Sequence, residues 1–138
     1  MKKPCSGYDE TGGMTYFPRM LDKIRLFAAG ELHPDFHANL GQGADGFCTH
    51  FLRIKYDDLK ARVLAGGTDE EILEWCFSNG RRLSKTDIWI WNQFTTRFGW
   101  RDIAQRLLKK LKAQSNLADR DDIVTMFDYF DVDEGRKP

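Results

Sequence analysis

No apolar run in the 138-residue chain approaches the ~18 residues that a membrane span requires, which argues against a transmembrane protein. Cysteine is scarce. The three present, at 5, 48 and 76, are odd in number and widely spaced, which suits a reducing compartment better than a disulfide framework. Charge of one sign is not in excess: 21 Lys and Arg face 21 Asp and Glu, so wholesale attraction to nucleic acid or to an anionic membrane is not expected. Behind Lys2 and Lys3 there is no apolar stretch, so the opening residues do not read as a secretory signal, and the expected compartment is the cytoplasm. Period-two alternation is missing too. Its nearest approach, Ile88-Trp89-Ile90-Trp91, follows a helix cap and runs into helical spacing. Without internal repeats, low-complexity segments or a dividing linker, residues 1–138 read as one domain, with 1–7 and 133–138 as flexible ends.

What the chain does contain is bulk and helical rhythm. Hydrophobic residues make up 41% and aromatics 13%, including ten Phe, enough for a sizeable core. Phe17, Met20, Leu21, Ile24, Phe27 and Ala28 recur at helical spacing, with Pro18 suited to the first turn and Gly30 to the end, predicting a helix over about 17–29. Pro34, Gly41, Gly43 and Gly46 make 31–46 a loop, with one short helical turn after Pro34. Short helices follow over about 47–53 and 57–65. Thr68 with Glu71, and Ser84 with Asp87, have the spacing of capping boxes, in which hydroxyl and carboxylate each satisfy an orphan backbone N–H. The first opens a helix that buries Ile72, Leu73, Cys76 and Phe77 and stops at Gly80. The second opens one with Ile88, Trp91, Phe94, Thr95 and Phe98 inward, ending at Gly99.

Trp100, Ile103, Ala104, Leu107, Leu108 and Leu111 form the cleanest amphipathic stripe. Asp119 is placed to cap a last helix burying Ile123, Val124, Phe127 and Phe130. The fold class is all-α: six or seven short helices, orthogonal or bundle-like, around one core.

Chemistry concentrates at the loop. Gly41-Gln42-Gly43-Ala44-Asp45-Gly46 spells G-x-G-x-x-G, but no strand precedes it and no βαβ unit surrounds it, so a dinucleotide fold is rejected. A glycine turn leading into a helix can still hold an anion on its backbone N–H groups, or can simply turn a corner. His33, His37, Cys48 and His50 are ligand-type residues whose spacing matches no common zinc module, so no metal site is assigned. Cys48 beyond the loop, with His37 or His50 as base and Asp45 as orienter, is a conceivable nucleophile; a buried apolar filler is the plainer alternative. The acidic pair Asp9-Glu10 and the group Asp119, Asp121 and Asp122 receive no catalytic role. Residues 81–112 hold nine Lys and Arg against two Asp, whereas 113–138 hold three against seven acidic residues. Arg81-Arg82 near Trp89 could dock phosphate or a stacked base, or the basic helices could simply pack beside the acidic end.

Several segments together resemble a known family: Tyr8-Asp9-Glu10 with Gly12-Gly13, Tyr16 to Arg25, His37-Ala38-Asn39-Leu40-Gly41 with Asp45-Gly46, Gly67 to Glu71, Asn79 to Arg82, Gly99 to Asp102, and Asp119 to Ile123. The family is one of small bacterial proteins catalogued as a domain of unknown function, and the resemblance runs from about residue 6 to residue 136. It implies a stand-alone domain and carries no activity, cofactor or catalytic residue.

The expected function is binding of a small ligand or anion where the 39–46 loop meets the first helix. The candidates are Asp9, Arg19, Arg25, His37, Asn39, Asp45, Cys48 and Arg53, with Arg19, His37 and Asp45 facing a shared cleft. The alternative is a non-enzymatic module that offers the basic 81–112 region to protein or nucleic acid, with Arg81, Arg82, Lys85, Arg97 and Arg106 forming one exposed patch with Trp89.

Overall fold

A computed structural model describes residues 1–138. The chain opens with a small antiparallel hairpin, β1 (Glu10–Thr11) and β2 (Met14–Thr15), turned by Gly12 and Gly13 at φ 57° and 81°. Positive φ at both central residues is what a tight two-residue hairpin demands, and glycine supplies it without steric cost. Seven α-helices follow: α1 (Phe17–Ala28), α2 (Ala44–Leu52), α3 (Tyr56–Leu64), α4 (Asp69–Asn79), α5 (Lys85–Thr95), α6 (Gln105–Gln114) and α7 (Met126–Asp133). A 3₁₀ turn over Pro34–Asn39 lies between α1 and α2, where one short turn was expected. The fold is all-α apart from the hairpin, and no helix is long and apolar enough to cross a membrane.

The central helix is α1. Phe17, Met20, Leu21 and Ile24 are all buried, and with Leu52, Leu59, Ile72, Cys76, Trp91 and Phe127 they join one core assembled from α1 to α5 and α7. The hairpin is fastened to α5 by its polar groups. Asn92 Oδ1 accepts from Thr15 N and Oγ1, Asn92 Nδ2 donates to Gly13 O, and Trp91 Nε1 donates to Thr15 O. Both expected capping boxes form, Thr68 with Glu71 and Ser84 with Asp87. Gly80 does more than stop α4. A Cβ there would run into the Leu52 carbonyl and come within 2.7 Å of Ile54 Cγ2 and 2.9 Å of the Arg53 carbonyl, so the α2–α3 turn is seated on a bare backbone.

The last third departs from the sequence expectation in three ways. First, α5 ends at Thr95 rather than at Gly99, and α6 starts only at Gln105, because Asp102 accepts from the backbone N–H groups of Gly99 and Ala104 and turns 99–104 into a corner. Second, the amphipathic stripe is only half used: Ala104 and Leu108 are buried, whereas Ile103 is 96% exposed and Trp100 and Leu107 are also exposed. Third, the last helix is capped by Thr125, whose side chain forms a capping box with Asp128, and not by Asp119. Residues 117–125 stay irregular because Lys112 Nζ donates to the carbonyls of Arg120 and Ile123, holding that segment as a strap over a second, smaller core of Leu108, Ile123, Met126 and Tyr129. Val124, expected inside, is exposed.

Both ends have partners. Lys2 exchanges backbone hydrogen bonds with Glu31 and His33, and near the C-terminus Glu134 and Arg136 turn inward.

Candidate functional site

Two polar centres flank the second helix, one sealed and one open. The sealed centre is built on α1. Tyr16 enters the helix at φ 73°, a left-handed conformation that is unusual for a bulky aromatic residue. Its ring stacks on Phe127 at 5.6 Å, and its hydroxyl donates to Asp45 at 2.6 Å. Asp45, wholly buried in the first turn of α2, also accepts from Lys23 Nζ at 2.9 Å and from the Gly41 backbone N–H at 3.0 Å. The same carboxylate therefore pins the glycine loop, α1 and α2 together.

One turn earlier on α1, Arg19 makes a bidentate pair with Glu134 at 2.7 and 2.8 Å, donates to the Cys5 carbonyl and lies over the Phe130 ring. Arg136 bridges Glu134 to Asp131, which accepts from Ser6.

The electrostatics follow from burial. Desolvation pulls the Lys23 ammonium below its usual range in spite of Asp45. Burial, then the Asp45 charge, raises the Tyr16 phenol well above its own. Burial opposes the charge on Arg19, but the hydrogen bonds and charge of Glu134 outweigh it and the guanidinium pKa is raised. Every buried side-chain nitrogen and oxygen has a partner. A cluster this saturated clamps the fold; it offers no free donor to a ligand.

The shared cleft expected for Arg19, His37 and Asp45 therefore does not form. Arg19 and Asp45 are interior, while His37 is exposed, with Nε2 2.9 Å from the Leu32 carbonyl and its ring edge-on to Phe27. Arg25 pairs with Asp69 at 2.6 Å, and Asp9 and Asn39 are exposed away from the cluster's carboxylate. Cys48 is wholly buried, and burial, with Asp45 nearby, lifts its thiol well above the usual range, the opposite of what a nucleophile needs. His33, His37, Cys48 and His50 do not converge: His33 accepts from the Asp35 N–H, Cys48 is in the core, and His50 is exposed.

The open centre lies where α2 ends. Arg53, at φ 60°, terminates α2, and Lys55 caps α3 without a side-chain hydrogen bond. Between this turn, α3 and α4 is a cavity of about 680 Å³ lined by Arg53, Ile54, Lys55, Asp58, Ala61, Arg62, Trp75 and Asn79. Arg53 and Lys55 make no ion pair, and Arg62 donates to the Gly66 carbonyl at 2.6 Å. Three cations thus face one carboxylate, Asp58. Of the eight sequence candidates only Arg53 belongs to this cavity. The others in its lining were missed because they span 53–79 and meet only through the packing of α3 on α4, which helical spacing alone does not specify.

Residues 1–136 match the family described as Domain of unknown function (DUF5069). The chain belongs to this family. No curated protein matches it. In this DUF5069 domain, the segments that carry the resemblance fall at both centres. Tyr16 to Arg25, with Gly41 and Asp45, supplies the sealed cluster. Asn79 to Arg82 closes on the α2–α3 turn, where Arg81 lies over the Phe51 ring at 4.6 Å and donates to the Phe51 carbonyl.

The basic region is divided by the fold. Arg81 pairs with Asp87 and Arg82 with Glu74, so those two charges are already compensated, while Arg97 donates to the neutral Gln93 side chain and Lys85, Arg106 and Trp89 are exposed. The cations of this region without ion pairs are Lys85, Arg97, Arg101, which covers the Trp100 ring at 5.1 Å, Arg106, Lys109, Lys110 and Lys112.

Proposed function

We propose that the domain binds a small organic anion in the cavity bounded by Arg53, Lys55, Arg62 and Trp75. The observation that carries this is the pairing state of its cations: Arg53 and Lys55 have no carboxylate partner, yet both border an open concavity with an aromatic wall. Unpaired cations on a concave surface raise the local potential for an incoming anion, and an indole gives its carbon skeleton a face to lie on. Asn79 adds a neutral donor and acceptor, and Asp58 can orient a hydroxyl or an amine of the same ligand. The lining suits retention of a phosphorylated or carboxylated metabolite rather than its conversion. This moves the expected anion site from the 39–46 loop to the far end of the helix that the loop introduces. We read the three free cysteines as in keeping with a cytoplasmic setting, and the resemblance to small bacterial proteins as in keeping with a bacterial source.

The test is titration with pyrophosphate, citrate and adenosine monophosphate, followed by isothermal calorimetry and thermal unfolding. A saturable ligand stabilises the fold by about 2.7 kcal/mol at a hundredfold excess over Kd. Arg53→Ala with Lys55→Ala removes that stabilisation, whereas an Arg25→Ala control outside the cavity leaves it intact. Absence of saturable binding by all three anions, or binding that the double variant leaves unchanged, overturns the proposal.

A further inference from the structure

The start of α6 carries charge that the chain's overall neutrality conceals. Residue Ile103 is 96% exposed, Leu107 48% and Trp100 44%, an apolar group at the corner where α5 gives way to α6. Helical spacing puts Arg106, Leu107 and Lys110 on the side of α6 away from Leu108, which is buried against the smaller core, and Ile103 lies in the turn just before the helix. Arg101 covers the Trp100 ring, and Lys109 extends the basic rim. The nearest acid in sequence, Asp102, is turned back onto the N–H groups of Gly99 and Ala104. The acidic end of the chain is elsewhere: Lys112, on the inward side, holds the 117–123 strap through the carbonyls of Arg120 and Ile123, so that strap packs away from Ile103 and Lys110. One side of α6 is thus apolar and cationic with no internal counter-charge.

We infer that this corner is a peripheral docking surface for an anionic lipid bilayer, with Ile103, Leu107 and Trp100 entering the headgroup region and Arg101, Arg106, Lys109 and Lys110 meeting the lipid phosphates. Charge complementarity and shape select this occupant. A basic helix with an apolar flank lies in the bilayer interface, and tryptophan favours that depth. For nucleic acid, Ile103 and Leu107 offer no stacking face. The chain crosses nothing; it would rest on the surface and leave the Arg53 cavity to its own ligand.

The test is flotation of the intact protein with phosphatidylcholine vesicles, with and without phosphatidylglycerol, at low and high salt. Binding is expected only to the anionic vesicles, to weaken with salt, and to fall about fivefold for each of Arg106→Gln and Lys110→Gln. Ile103→Asp, at a position so exposed that the fold should not register it, is expected to lower binding at least tenfold; circular dichroism and an unchanged melting temperature check the fold. Equal binding to neutral vesicles, no binding at all, or loss of binding in Arg53→Ala with Lys55→Ala but not in Ile103→Asp would each overturn the inference. So would a concentration-dependent dimer that Ile103→Asp dissolves, which would assign the corner to a second copy of the chain.

Discussion

Replacing Asp45 is the most direct way to ask whether the sealed cluster holds the fold together. Its carboxylate, on α2, serves three donors, two on α1 and one in the glycine loop, and the Lys23 side chain beside it is only 5% exposed. In Asp45→Asn the charge disappears while the size is kept, leaving a buried ammonium without a counter-ion. Breaking one side of a buried pair costs about 3–5 kcal/mol. Against a total stability of roughly 5–15 kcal/mol, that is a large share. For a chain of this length it corresponds to a fall in Tm of roughly 10–20 °C.

The assay is urea unfolding followed by circular dichroism, with Lys23→Met and the double variant measured alongside. Since the ammonium is the group stranded by Asp45→Asn, adding Lys23→Met should recover at least ~1 kcal/mol of the loss, a coupling that independent sites do not show. A loss below ~0.5 kcal/mol for Asp45→Asn, or strictly additive single variants, would refute the claim that the pair is a stressed, desolvated clamp.

Three further outcomes follow from other parts of the molecule. Gly80→Ala drives a methyl group into the backbone of the α2–α3 turn and is expected to destabilise by at least ~2 kcal/mol in the same unfolding assay, well beyond the ~1 kcal/mol range of ordinary glycine effects. Truncation after Asp133 strands the buried Arg19 guanidinium and is expected to cost about 3–5 kcal/mol, with the amide hydrogens of residues 5–8 losing protection from exchange. Raising the pH above about 9 should progressively destabilise the fold. Burial raises the Cys76 thiol from 9.0 to about 12 and lifts Cys48 and Tyr16 well above their usual ranges, so the unfolded chain releases these protons at lower pH than the folded one. Lys23, whose pKa is lowered by burial, acts in the opposite sense, and Lys23→Met should steepen the alkaline decline seen in pH-resolved denaturation curves.

Much of the fold could be read along the chain because its punctuation is local. Thr68 with Glu71 and Ser84 with Asp87 are decided within four residues, and the structure realises both capping boxes. Thr125 with Asp128 has the same spacing, yet Asp119 took precedence because Ile123 and Val124 looked like the start of a buried face. Ile123 is buried all the same, but in an irregular strap that the Lys112 ammonium holds against α6, and Val124 turns out to solvent. The hairpin was missed for a related reason: two-residue strands leave no periodicity, and only Gly12-Gly13 announced it.

The chemistry was less legible than the fold. Arg19, Asp45 and Cys48 were singled out for their type and neighbourhood, but burial separates a clamp from a binding site, and burial at these positions depends on Glu134, Lys23 and Tyr16, up to 115 residues away. Of the eight candidates Arg53 alone borders the cavity, and the fold takes the others elsewhere.

The ion pair between Arg19 and Glu134 has a consequence for how the chain is made. Ribosomal synthesis delivers Arg19 long before Glu134, and Ser6 before Asp131, so the first helix lacks these partners until residues 131–134 have been made. A nascent chain stalled before residue 134 would carry the sequence of all seven helices and still lack the bolt that locks the first of them in place.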